Sequence, residues 1–305
     1  MHYEYAVEPA AIAEDWKTCR YLAELFGFDR GRLLSQFPKK WLPMAIEAAA
    51  DLPPVEKKRV IEKLRLLKAH ASVRAGRPYD PDGGTWLDNA VREHAAAPFR
   101  AIVARDTVSG VPEVVAVDDV SETHPLFEVV RSISVPREAA SITSAVAPLL
   151  SCARHVLLVD KYYDPFNAKY QRTLRELLNH IRGAEIDFQI HYCEHGHCPD
   201  AAAIEREAVR KFGGVIPVGM KIKVLRWRQK TGGLNFHARY LLTDRGGIGI
   251  DAGFSSEGGG ERTDVHLLEG RFTLDTMTHF ESSASVFERV GPVLEIDENG
   301  RVRHL

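Results

Sequence analysis

The chain has 305 residues, 45% of them hydrophobic and 27% charged, with a formal net charge of -2. This is an ordinary globular composition, and it excludes a disordered, collagen-like or fixed-period repeat protein. No apolar run approaches the roughly 18 residues of a membrane span. The opening Met-His-Tyr-Glu-Tyr lacks a leader pattern, and Cys19, Cys152, Cys193 and Cys198 are too scattered for a disulfide framework, so the expected compartment is the cytoplasm.

Residues 8–75 read as helical. Apolar positions recur at helical spacing through Trp16, Leu22 and Leu25, a second helix is expected over 41–50, and a third over 55–73 after Pro53-Pro54. The run Arg-Pro-Tyr-Asp-Pro-Asp-Gly-Gly at 77–84 breaks the pattern, and a short helix follows over 85–97. These segments predict a mainly helical N-terminal domain over 1–98, a candidate adaptor for a protein partner.

After residue 98 the pattern changes. Short strands are expected at 99–104 and 112–117, a helix at 136–152 and a buried strand at 155–160 (HVLLVD). A helix at 171–181, a strand at 186–191, a helix at 201–212 and strands at 221–227, 236–243 and 247–250 continue the alternation. Further strands at 265–268 and 271–274 and a helix at 277–290 close it. Strands alternating with helices imply an α/β sandwich with a mixed sheet over 99–305.

The near-neutral total conceals a split. Residues 208–243 carry eight cations and no carboxylate, between flanks that are each net negative. Lys221, Lys223, Arg226, Arg228 and Lys230, with Asn235 just beyond, are candidate phosphate-binding residues. A basic surface that offsets its acidic flanks accounts for the same charges. Two denser clusters stand out besides. His191, Cys193, His197 and Cys198 fall within eight residues and are zinc-ligand types, although no distant Cys or His pair completes a site, and a loop after a strand explains them as well. The glycines at 246, 247 and 249 do not open a helix and are no dinucleotide fingerprint, so no cofactor is expected.

The segment 235–244, Asn-Phe-His-Ala-Arg-Tyr-Leu-Leu-Thr-Asp, carries the most specific pattern. His237 and Arg239 share a strand face by alternation, and Asp244 follows at the strand end, where a turn is expected to bring it back. His237-x-Arg239-(x)4-Asp244 resembles the HxK(x)4D signature of the phospholipase D superfamily, with Gly253-Phe254-Ser255 resembling the Gly-Ser that follows it. The resemblance covers about 130–295 and implies the superfamily's α/β/α sandwich. It also implies a metal-independent phosphodiesterase in which the motif histidine forms a phosphohistidine, so that His237, Arg239, Asp244 and Ser255 are the expected catalytic residues. Arg replaces the family's Lys at 239, and only one motif is present. An active enzyme, expected to be a nuclease, would therefore share its site across a homodimer. The alternative is an inactive module of the same fold that binds nucleic acid, phosphate groups or a partner protein.

Overall fold

The computed structural model describes residues 1–74, 76–181, 186–196, 198–237, 239–281 and 286–305, and the chain divides into two compact units, Met1–Val130 and Arg131–Leu305. In the first, the elements are β1 (Tyr3–Val7), α1 (Pro9–Ile12), α2 (Trp16–Leu25), β2 (Arg32–Ser35), α3 (Trp41–Ala48), α4 (Pro54–Ala71), β3 (Ser72–Val73), α5 (Trp86–Ala96), β4 (Ala101–Ala104) and β5 (Val114–Ala116). Local chemistry starts several of the helices. The Asp15 carboxylate accepts the Thr18 N–H ahead of α2, Thr85 and Asp88 form a reciprocal capping box at α5, and α4 begins on Pro54.

Five helices fall within residues 1–98, but the sheet among them and the later boundary depart from the expectation. The first unit contains a five-stranded sheet, all parallel, in the order β3-β2-β1-β4-β5. Its strands are two to five residues long and buried on both faces, so they leave no alternating pattern to read. The boundary moves for the same reason. Tyr5 pairs with Ala101 and Ile102 with Val114, which draws 101–116 into the first unit.

The second unit comprises β6 (Ser132–Pro136), α6 (Ala139–Leu150), β7 (His155–Asp160), α7 (Ala168–Asn179), β8 (Asp187–Cys193), α8 (Ala201–Phe212), β9 (Lys221–Arg228), β10 (Arg239–Thr243), β11 (Gly247–Ile250), β12 (Arg262–Leu267), α9 (Gly270–Thr278), β13 (Glu288–Arg289), β14 (Leu294–Asp297) and β15 (Val302–His304). They build a mixed sheet in the order β15-β14-β9-β8-β7-β10-β11-β12-β6, with β13 also on β9. β7, β8 and β9 are parallel, and every other pairing is antiparallel. The α/β class with a mixed sheet is thus as expected.

β7 is covered on both faces, which is why its sequence runs apolar without alternation. Leu157 and Val159 join a cluster with Leu225, Trp227, Phe236 and Phe280, while Val156 and Leu158 are buried on the other side. Two expectations at the C-terminal end fail. Residues 271–274 lie in α9 instead of a strand, because Thr273 and Thr276 turn inward at helical spacing. The helix expected over 277–290 stops at Thr278, β13 occupies 288–289, and residues 282–285 of that stretch lie outside the described residues. Among the described residues no helix is long and apolar enough to cross a membrane.

Candidate phosphate site at the carboxyl end of β7

β7 ends on a carboxylate. Asp160 is fully buried, and its two oxygens accept the backbone N–H groups of Tyr162 and Phe254, each at 3.0 Å. Burial pushes its pKa above the usual carboxylate range. The two backbone donors oppose that shift, as do the nearby Arg239 and Arg137 guanidiniums.

Arg239 opens β10 directly opposite Asp160 in the antiparallel pairing, with its Nε 3.9 Å from the Asp160 carboxylate. The guanidinium also donates to the Asp251 carbonyl and lies over the Tyr162 ring, 5.5 Å from its centroid. Gly253 closes the turn above the carboxylate at φ +77°, a left-handed backbone, and a Cβ there would sit 2.3 Å from Asp160 Oδ2.

A second guanidinium arrives from the far edge of the sheet. Arg137 follows β6, and one of its terminal nitrogens donates to Ser255 Oγ at 2.5 Å and lies 3.4 Å from Glu257. The Arg137 carbonyl accepts the Glu257 N–H, and its own N–H donates to the Glu261 carbonyl, so the 255–261 loop is tied to this residue through the backbone as well. Lys169 pairs with Glu257, and Arg172 donates to Ser256 Oγ and its carbonyl at 3.2 Å.

Under this layer sit the Tyr163 and Tyr170 rings, 4.9 Å apart. Burial raises both phenol pKa values, and at Tyr170 the nearby Ser255, Arg239 and Arg137 oppose the shift. Two buried polar atoms here have no hydrogen-bond partner among the described residues, Arg137 Nε and Tyr163 Oη. Such atoms are uncommon in a folded interior and cost roughly 1–3 kcal/mol each when unmatched.

The motif residues separate. Arg239 and Ser255 meet at this site. His237 lies two residues before β10, exposed, with its N–H donating to the carbonyl of the equally exposed Asn235. Ala238 is outside the described residues. Asp244 does not return to Arg239. β10 runs antiparallel to β7, so its far end lies at the amino end of β7, where the Asp244 carboxylate accepts the N–H groups of Arg154 and His155 at 2.8 and 3.2 Å.

The basic stretch is not an open cationic track. Lys221 pairs with Glu295 and Lys223 with Asp187, at 3.0 and 2.8 Å. Both Arg226 and Arg228 pair with Glu194, and the hydrogen bond from Arg228 is the main cause that holds its carboxyl below the usual range. Lys230 is exposed in the turn after β9.

The zinc-type cluster has other employment. His191 is fully buried, and its Nδ1 accepts the Trp227 indole N–H at 3.0 Å. Its Nε2 therefore carries the proton and donates to Gln189 Oε1 at 3.1 Å. Cys193 is buried against the apolar cluster, the Cys198 sulfur accepts the His195 N–H, and His197 lies outside the described residues. Among the described residues no three metal-donor side chains converge.

Gln189 also donates to Asp187 at 2.7 Å, and Asp187 pairs with His155 Nδ1 at 2.9 Å. A continuous polar chain thus runs along one sheet face from Trp227 to His155. Nothing in the sequence marked it, nor Arg137, which reaches the site through non-local pairing, whereas Tyr163 belongs to the Tyr-Tyr-Asp-Pro run just after β7. Asp160 did leave a trace, as the single charge closing an otherwise apolar strand.

Neither a protein-family model nor a curated protein matches this chain. Among solved structures it is similar to TrmBL2, described as an archaeal chromatin protein with a novel mode of DNA binding, at 13% identity and a TM-score of 0.29. The likeness covers 53% of this chain and 55% of that one, about half the length of each, and is too low to bear on fold or function.

Proposed function

We propose that the second unit is a phospholipase D-like module that holds a phosphate group at the carboxyl end of β7 without cleaving it. The supporting observation is the convergence of Arg137 and Arg239 on Ser255 and the buried Asp160. Two guanidiniums from opposite sides, a hydroxyl and an unmatched buried Nε make a compact receptor for a tetrahedral oxyanion. Cleavage through a phosphohistidine calls for an imidazole oriented by a carboxylate. His237 is exposed, and Asp244 is engaged by backbone amides at the other end of the strand. The pairing of the basic stretch with carboxylates favours a single phosphate group over a long polyanion. A homodimer contributing two His237 side chains is the arrangement under which turnover would occur.

The test uses a 5′-phosphorylated single-stranded 20-mer in EDTA, with inorganic phosphate as competitor. Binding is expected to weaken about tenfold or more in Arg239→Gln, the loss of one charge-assisted contact, and to stay unchanged in His237→Ala, with no cleavage by either protein. Metal-independent cleavage that disappears in His237→Ala would replace this reading with the enzyme.

A further inference from the structure

The helix α4 of the first unit is basic. Its 18 residues carry Lys57, Lys58, Arg59, Lys63, Arg65 and Lys68 against Glu56 and Glu62. One face is spent on the core through Val60, Leu64, Leu67 and Ala71. Several charges are spent as well. The Glu56 carboxylate accepts the Trp16 N–H, Lys63 lies 3.9 Å from Glu24, and the Lys57 ammonium donates to the Ala50 carbonyl at 3.0 Å. Lys58, Arg59 and Arg65 are exposed, and no carboxylate among the described residues pairs with them.

A groove of about 580 Å³ runs along one shoulder of this helix. Lys58, Ile61 and Arg65 line it at helical spacing, so the two free cations flank one apolar side chain on a single stripe. Leu52, in the loop after α3, lines it too, and the Lys57–Ala50 hydrogen bond ties that loop to α4. Leu52 and Ile61 are half-buried and Pro54 is exposed, so the apolar lining is open to a ligand. Glu62 is the single carboxylate on the lining. A nucleic-acid backbone would satisfy Lys58 and Arg65 but leave the apolar surface unused. A bilayer takes up apolar side chains that project from a surface, whereas Leu52 and Ile61 are recessed. A peptide can use both, with an apolar side chain in the groove and carboxylates beside it.

We propose that this groove docks an acidic peptide segment of a partner protein. One apolar side chain of the peptide would seat against Leu52 and Ile61, and its carboxylates would pair with Lys58 and Arg65. All of these residues belong to the first unit and none to the phosphate site, so the two readings stand or fall separately.

The probe is a fluorescein-labelled peptide of Asp and Glu with one central Leu, titrated by anisotropy into the full chain. The same peptide with Ala at its centre runs beside it. Saturable binding of one Leu peptide per chain is expected, weakened about tenfold by the Ala exchange, the loss of one buried apolar side chain. Lys58→Glu combined with Arg65→Glu, both at exposed positions, should weaken the Leu peptide about tenfold or more. Arg59→Glu, roughly 200° around the helix from Ile61, should change it less than twofold. Equal binding of the two peptides would overturn the proposal, as would equal losses in Arg59→Glu and the double variant, or no binding at all. Tighter binding of a single-stranded oligonucleotide or of phosphatidylserine vesicles, lost in the double variant, would overturn it in favour of nucleic acid or membrane. If the double variant fails to fold, Arg65→Gln against Arg59→Gln decides, with the same ranking expected.

Discussion

Gly253→Ala is expected to destabilise the second unit by about 3 kcal/mol or more, through two separable costs. One is backbone strain, because φ is +77° at this residue. The other is collision, because the new methyl would lie 2.3 Å from the Asp160 carboxylate and 2.9 Å from the Arg239 side chain. Neither neighbour can yield cheaply. Asp160 is fully buried and fixed by two backbone N–H groups, one of them from Phe254, the residue next to the substitution. Gly258→Ala isolates the strain. Its φ is +72°, but nothing lies within 4 Å of the added carbon, so about 1 kcal/mol is expected there. Urea denaturation of both variants measures the difference. Equal losses at the two positions would show that the Asp160–Arg239 pair does not fix the turn.

Acid is expected to weaken the second unit well before its carboxylates titrate as a class. Burial pushes the His191 imidazole down to about 3, from an unfolded value near 6.5. Between those two pH values the unfolded chain binds a proton that the folded chain refuses. Stability is therefore full above about 6.5 and falls as pH drops toward 3. The expected loss is about 2 kcal/mol at pH 5. Asp187, held well below the usual range chiefly by His155, adds a loss of the same sign below its unfolded value of 3.8. Asp160 acts the other way just above 3.8, because its folded pKa is raised. His191→Gln keeps an acceptor for Trp227 but does not titrate. Its stability should be flatter than wild type between pH 7 and 5, as followed by urea denaturation. Parallel profiles would assign the acid sensitivity elsewhere. His2, buried in the first unit and pushed down to about 4, is common to both proteins and cancels.

Much of the second unit was legible in its sequence, for reasons its residues make plain. HVLLVD at 155–160 and the amphipathic run with Leu174, Leu177 and Leu178 are local signals, and each lands within a few residues of β7 and α7. β1 and β2 were not legible. Their five and four residues acquire meaning only by pairing with strands far along the chain. The site divides in the same way. Arg239 and Ser255 could be picked from a motif, and Gly253 marked their turn. Arg137 could not, since it meets Ser255 across 118 residues of sequence. Asp244 was misplaced because a strand's far end cannot fold back to its start: β10 carries it to the amino end of β7, where two backbone amides hold it.

The carboxylates that neutralise residues 221–228 come from Asp187, Glu194, Glu288 and Glu295, both upstream and downstream in the chain. Opposite charges a few ångströms apart cancel at longer range, so this part of the surface projects little field into solvent. An approaching anion would gain no steering from it and would meet Arg137 and Arg239 only on contact. Association should then run at the rate of an unguided encounter, about 10⁵–10⁶ M⁻¹s⁻¹, with little dependence on ionic strength. Discrimination among ligands would rest on how long each stays bound.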